Sequence, residues 1–255
     1  MNASSSSLEG RVAFISGAGH GIGRATALAM ARLGATVGVN DLKPEFVEDA
    51  AAEIRAFGGR AIPLARDVAS REGMREAVQQ LAREAGRLDI LVNNAAWVRY
   101  QPLAEITPEV MDRMVEIGFK SVIWGIQAAA EAMDPERGGA IVNVASIAAF
   151  KSPARSVVYS GLKAGVLGIT RAAAADLGAR HIRVNAVAPG AVPTEGTAKH
   201  RNAELDARRI ARTPLGRLGT VADIADAICF LAGDGARFVN AEVIRLDGGA
   251  SETSL

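Results

Sequence analysis

The sequence predicts a doubly wound α/β fold: a parallel sheet of about seven strands with helices on both faces. Two observations carry this. Short apolar runs alternate with longer helical patterns along nearly all of the 255 residues, and such alternation builds a parallel sheet covered on both faces. The first apolar run also leads into the stretch Ser16-Gly17-Ala18-Gly19-His20-Gly21-Ile22-Gly23 and then into a helical pattern, the order of a strand, a tight turn and a helix. No linker composition and no repeat interrupts the chain, so residues 8–255 read as a single domain. The Ser-rich opening, residues 1–7, reads as a disordered tail.

The elements follow in order. RVAFIS (11–16) is a buried strand, and GRATALAMARLG (23–34) its helix. ATVGVND (35–41) is the second strand, with a helix over 44–57 that stops at Gly58-Gly59. RAIPLARDV (60–68) is the third, followed by a helix near 70–85. LDILVNNAA (88–96) is the fourth. Thr107-Pro108-Glu109 then opens a long helix near 108–133, with Thr107 as N-cap and Pro108 in the first helical position. GGAIVNVAS (138–146) is the fifth strand, with a helix over about 159–178. HIRVNAVAPG (181–190) is the sixth, and 191–213 reads as a charged, irregular excursion. Thr220 and Asp223 form a capping box before DIADAICFLAG (223–233), and AEVIRLDGG (241–249) closes the sheet.

Composition narrows the function. The net charge of +1 shows no global bias toward nucleic acid. Cys229 is the sole cysteine, so no internal disulfide forms, and within AICFLAG it reads as a buried, inert thiol. The N-terminus has no basic segment followed by an apolar one, hence no secretory signal. The longest apolar candidate, GVLGITRAAAA, is broken by Arg171, so no membrane span is expected. A cytoplasmic location follows. His20, His181 and His200 share no metal-ligand spacing, so no metal is expected.

In a doubly wound sheet, ligands sit outside the carboxyl ends of the strands. That rule selects Ser16–Gly23, Asp41, Asp67, Asn93–Ala96, Ser146 and Pro189–Thr194. Gly17, Gly19, Gly21 and Gly23 allow a backbone to approach a pyrophosphate, which the free N–H groups of the following helix attract. Asp41 ends the second strand about twenty residues on, where a carboxylate accepts hydrogen bonds from adenosine ribose hydroxyls and repels a 2′-phosphate. NAD is therefore favoured over NADP. His20 and Leu42 offer no firm phosphate clamp, although Lys43 keeps NADP open. The plainer alternative is that Asp41 only caps a turn.

Tyr159 and Lys163 stand four apart in a helical segment and so share a face. An ammonium beside a phenol favours phenolate, which would bring Tyr159 toward proton exchange near neutral pH. Ser146, at the end of the preceding strand, could hold a substrate oxygen. The bland alternative is a surface Tyr–Lys pair, and the glycine loop and strand order weigh against it.

The chain resembles the short-chain dehydrogenase/reductase family from Leu8 to about Gly249. The matching pieces are Gly17-x-x-x-Gly21-x-Gly23, Asp67-Val68, Asn93-Asn94-Ala95, Ser146, Tyr159-x-x-x-Lys163, Pro189-Gly190 with Thr194, and Asp247-Gly248-Gly249. The resemblance implies a seven-stranded Rossmann-type sheet, Tyr159 as general acid/base and Ser146 polarising the substrate oxygen. It implies that Lys163 binds the nicotinamide ribose and tunes Tyr159. Asp67 and Val68 would flank the adenine, Asn93 and Ala95 the middle of the cofactor, and Pro189, Gly190, Val192 and Thr194 the nicotinamide side. Ile22, His20 and Leu42 complete the expected cofactor contacts. A homotetramer through the helices near 108–133 and 159–178 is implied as well.

Two departures stand out. The family's Asn-Asn-Ala-Gly is Asn93-Asn94-Ala95-Ala96 here. The asparagine that the family places on the long central helix, supporting a water beside the lysine, is Gly118. A water in the vacated space, helped by Ser121, would then serve the relay. Trp97, Arg99, Ala148, Lys151 and Arg155 are the candidate substrate residues. The charges of the excursion, Lys199, His200, Arg201, Arg208, Arg209 and Arg212, read as solvated.

The expected activity is interconversion of a small secondary alcohol and its ketone by hydride transfer. The alternative from another class is a non-redox dinucleotide-binding sensor, which Gly118 keeps open. A lyase or dehalogenase would be expected to lack the glycine loop and the lysine, and both are present.

Overall fold

A computed structural model describes residues 7–196 and 202–253. Seven strands form one sheet: β1 (Val12–Ile15), β2 (Thr36–Asp41), β3 (Arg60–Ala65), β4 (Ile90–Asn93), β5 (Gly139–Val144), β6 (Ile182–Pro189) and β7 (Val243–Leu246). Their order is β3-β2-β1-β4-β5-β6-β7, and every neighbouring pair is parallel. The order reverses between β1 and β4, which opens a crevice at the carboxyl ends of those two strands.

Strand β1 shows why the sheet is covered twice. Successive side chains of a strand point to opposite faces. Ala13 and Ile15 enter one buried cluster with Met30, Val47, Ile224 and Ile228. Val12 and Phe14 enter the other with Met74, Leu81, Leu91 and Val166. The first face carries α1 (Gly21–Arg32), α2 (Pro44–Ala56) and α8 (Val221–Ala232). The second carries α3 (Arg71–Ala85), α5 (Ser121–Ala132) and α6 (Val157–Leu177). Phe14 is fully buried, and its truncation to alanine would cost about 3–5 kcal/mol.

Helix starts obey local chemistry. Ser70 accepts from the Gly73 amide, and Thr107 from that of Val110 at the head of α4 (Pro108–Val115). Thr220 and Asp223 form the reciprocal capping box of α8. The chain is anchored from Leu8, fully buried, whose amide donates to the Leu33 carbonyl at 2.9 Å. The rest of the expected tail, residues 1–6, lies outside the described residues.

The expected helix near 108–133 runs without a break from Pro108 to Ala132, and a π-helical turn over Glu116–Lys120, with buried Gly118 at its centre, joins α4 to α5. One expectation needs correction: the excursion over 191–213 is not wholly irregular. It contains α7 (Ala203–Ala211), whose N-cap Asn202 accepts from the Leu205 amide at 2.7 Å. Lys199, His200 and Arg201 lie outside the described residues. Among the described residues, no helix is long and apolar enough to cross a membrane, and no three His, Cys, Asp or Glu are grouped to hold a metal ion.

Candidate active site

A cleft of about 580 Å³ runs over the carboxyl ends of the strands, from Asp41 and Asp67 past the glycine loop to Ser146, Tyr159 and Lys163. One side of it is built by the loop between β1 and α1. Gly17 and Gly21 have φ of +64° and +57°, a backbone region that side chains disfavour. At Gly23 the reason is space, because a Cβ there would lie 2.1 Å from the Gly17 carbonyl oxygen.

The loop is tied to the end of β4. The Ser16 hydroxyl accepts from the amides of Asn94 and Ala95 at 3.0 and 3.1 Å. The Asn94 side-chain amide donates to the carbonyls of Ser16 and Gly17, both at 3.0 Å. No side chain of His20 caps α1. Instead the Gly21 amide donates to the carboxylate of Glu195, at 3.1 Å to Oε2.

Asp41 closes this end. Its carboxylate accepts from the amides of Gly19 and Leu42 at 3.2 and 2.8 Å, and lies 3.6 Å from His20 Nδ1. Burial pushes the Asp41 carboxyl up, but the bond from His20 and those two amides together hold it below its usual value. His20 is raised by its bond to Asp41, against the opposing effect of burial, with Glu195 adding to the rise.

At the other end, β5 delivers Ser146, which is 9% exposed, and the first turns of α6 deliver Tyr159 and Lys163. The Ser146 hydroxyl accepts from the Ala148 amide at 3.1 Å and faces the Tyr159 phenol, whose pKa it acts to lower. Lys163 Nζ donates to the Val144 carbonyl at 2.6 Å and lies 6.0 Å from the centre of the Tyr159 ring. Tyr100 meets that ring edge-on at 5.7 Å.

The expected lowering of the Tyr159 pKa is not what this arrangement gives. Burial pushes the phenol up to about 12, the neighbouring Tyr100 adds to the rise, and Ser146 opposes it only in part. The lysine is directed at a backbone carbonyl rather than at the phenol, and its own burial pushes it down to about 8. Desolvation therefore outweighs the favourable charge that helical spacing alone suggested.

Most of the predicted positions reach the cleft. Gly17, His20, Gly21, Ile22, Asp41, Leu42, Asp67, Val68, Ala95, Ser146, Tyr159, Lys163, Pro189, Gly190, Val192 and Thr194 all line it, as does Trp97. Gly19 and Gly23 shape the loop behind that wall. Asn93 points into the core, where its amide donates to the Val122 carbonyl and to Asn143 Oδ1. Of the other substrate candidates, Arg99, Ala148, Lys151 and Arg155 do not line the cleft. Ala148 instead contributes its amide to Ser146, and the Arg155 carbonyl holds the Gln101 amide.

Tyr100, which follows the fourth strand beside Trp97 and Arg99, lines the cleft as its segment suggests, and Phe46, Arg66, Arg113 and Ile117 line it without having been expected there. Arg113 lies over the Trp97 ring, 4.4 Å from its centre. Its spacing of four from Ile117 puts both on one helical face, but only the tertiary fold shows that this face borders the cleft. The Ser121 hydroxyl donates to the Ile117 carbonyl at 2.6 Å, so its proton is committed within the helix. Ala96, the other departure, has no left-handed φ.

Close-packed Gly19 and Gly23, where a Cβ would clash, a helix start that His20 does not cap and a carboxylate at the end of β2 fit a dinucleotide. Known proteins agree with this fit. The family described as Enoyl-(Acyl carrier protein) reductase matches residues 17–251. Cis-4-hydroxycyclohexanecarboxylate dehydrogenase of Sinomonas cyclohexanicum is 40% identical over 240 residues, covering 94% of this chain and 96% of that protein. A solved 7α-hydroxysteroid dehydrogenase, complexed with NADH and 7-oxo glycochenodeoxycholic acid, superposes with a TM-score of 0.95 at 31% identity, covering 99% of each chain. A chain from Beutenbergia cavernae solved with NADP at low occupancy gives 0.93 at 35% identity, covering 98% of this chain and 100% of its own.

The chain belongs to the short-chain dehydrogenase/reductase family. It is an oxidoreductase of that family, whose members use a nicotinamide dinucleotide.

Proposed function

We propose that the protein is an NAD-dependent dehydrogenase or reductase that interconverts a small secondary alcohol and its ketone. The observation that carries this reading is a single cleft with Asp41 against the glycine loop at one end and Ser146, Tyr159 and Lys163 at the other. The NAD preference rests on Asp41. A carboxylate held ionised beside the loop accepts from ribose hydroxyls and repels a 2′-phosphate. His20 and Asp41 neutralise one another in part, and Lys43 Nζ lies over the Phe46 ring, 4.9 Å from its centre.

Bound nicotinamide supplies or takes up the hydride. The proton falls to Tyr159. At neutral pH its phenol is protonated, so it is ready to donate to a developing alkoxide during ketone reduction, and in the reverse direction it takes the alcohol proton. The Ser146 hydroxyl, beside the phenol, orients the same substrate oxygen. Lys163 holds a positive charge beneath the phenol and favours any phenolate that forms. Its stance against Val144 fixes the start of that interaction. A homotetramer through the faces of α4, α5 and α6 and a cytoplasmic location complete the proposal.

Titration with NADH and NADPH, followed by turnover of a panel of secondary alcohols and their ketones, tests the reading. NADH is expected to bind at least tenfold more tightly, and one or more alcohols to be oxidised. Tighter binding of NADPH would refute the role given to Asp41.

A further inference from the structure

The amide at the start of α1 already has an anionic partner within the chain. The Gly21 N–H donates to Glu195 Oε2 at 3.1 Å, and Thr194 stands close enough that a Cβ on Gly21 would be 3.4 Å from two of its atoms. Gly196 follows, with His20 Nε2 3.9 Å from where a Cβ on it would lie. The Glu195 charge reaches His20, whose pKa it helps to raise. Three consecutive residues after β6 are thus seated over the glycine loop, and one of them places a carboxylate at the helix start.

Helix starts stabilise anions through unpaired N–H groups and the helix dipole. A carboxylate and a phosphate oxygen seek the same donor there, and the two negative charges repel if both stay.

We propose that Glu195 is an internal competitor for the pyrophosphate of the dinucleotide, so that the cofactor must displace its carboxylate from the Gly21 amide in order to bind. The inference rests on the dinucleotide reading of the cleft. It sets cofactor affinity through a residue that lies outside the glycine motif. Glu195 is exposed, and its bond is to a single amide, so the effect is moderate rather than decisive. His20, Asp41 and Arg24 are the other charged groups at this spot: His20 pairs with Asp41, and Arg24 donates to the Gly19 carbonyl and to Glu53, which leaves the Gly21 amide to Glu195.

Calorimetric titration of NADH into the wild-type protein, Glu195→Gln and Glu195→Ala tests this. Adenosine, which carries no phosphate, serves as the comparison probe. Both variants are expected to bind NADH about threefold to tenfold more tightly, because each removes the competing charge. Adenosine affinity is expected to change by less than about twofold. NADH affinity equal to or weaker than wild type in both variants overturns the role of Glu195 while leaving the dinucleotide reading intact. Equal tightening of adenosine and NADH overturns it too, since the gain would then not come from the phosphates. Failure of the wild-type protein and both variants to bind NADH or NADPH overturns both the inference and the reading beneath it.

Discussion

Replacing Lys163 with methionine should stabilise the cofactor-free protein at pH 7, even as it removes a residue of the proposed chemistry. Lys163 is 4% exposed, and its ammonium has one hydrogen-bond acceptor, the Val144 carbonyl at 2.6 Å. Burial brings its pKa from the usual 10.5 down to about 8. At 1.36 kcal/mol per pH unit, the charged form is penalised in the folded state by about 3 kcal/mol. At pH 7 the lysine is charged in both folded and unfolded chains, so nearly all of that penalty applies.

Methionine fills similar volume without charge, but it leaves the Val144 carbonyl without its donor, a loss of about 1 kcal/mol. The net expected gain is about 2 kcal/mol. The advantage shrinks with pH in a defined way. Between pH 8 and 10.5 the unfolded chain keeps the proton that the folded chain has released, so wild-type stability rises with pH across that window. By pH 10 the advantage of the variant should have fallen to about zero. Urea unfolding of both proteins without cofactor, at pH 7 and pH 10, measures this. A variant less stable than wild type at pH 7, or a gap that does not change with pH, would refute the assignment of Lys163 as a buried, charge-strained group.

Further outcomes follow from other contacts. Asp41→Asn removes the charge held between Gly19 and Leu42; the ratio of NADH to NADPH affinity should fall at least about tenfold by parallel titration. Gly23→Ala places a methyl 2.1 Å from the Gly17 oxygen, so dinucleotide binding by calorimetry should be lost even if the sheet survives by circular dichroism. Gly118→Ala meets only Leu162 Cδ1, at 3.4 Å. It should raise the unfolding free energy by about 0.5–1 kcal/mol, since glycine disfavours a helical interior. A loss of stability there would mean that the π turn requires glycine.

The parts legible in the sequence are those written in local pattern. Strands β1 to β7 announce themselves as apolar runs, and the caps at Thr107 and Thr220 mark helix starts through side-chain chemistry that needs no tertiary knowledge. The glycine loop, Asp41, Ser146, Tyr159 and Lys163 fall at strand ends or helix starts, where a doubly wound sheet gathers them into one cleft. Helix α7 is short, amphipathic and rich in charge, and it buries none of its residues, so its stretch reads as a charged excursion rather than as an element packed on the core. The π turn at Glu116–Lys120 leaves the apolar pattern of its helix almost unchanged.

The chemistry of the site was less legible than its membership. Helical spacing set Lys163 beside Tyr159, but only the folded chain shows the ammonium turned to Val144 and the phenol desolvated. Arg113 and Tyr100 reach the cleft through packing between distant segments, and neither carries a motif of its own. The basic candidates Arg99, Lys151 and Arg155 were close in sequence to the site but not on its wall.

The central claim is that Tyr159 moves the proton while the rest of the cleft binds the dinucleotide. Comparing Tyr159→Phe with wild type, for NADH binding and for turnover of an alcohol or ketone that the wild type accepts, tests it most directly. The phenol oxygen is lost and the ring is kept, so NADH affinity should stay within about threefold of wild type while turnover falls by at least about a hundredfold. Undiminished turnover in Tyr159→Phe, or a wild type that binds NADH yet turns over nothing in a broad panel, would contradict the account.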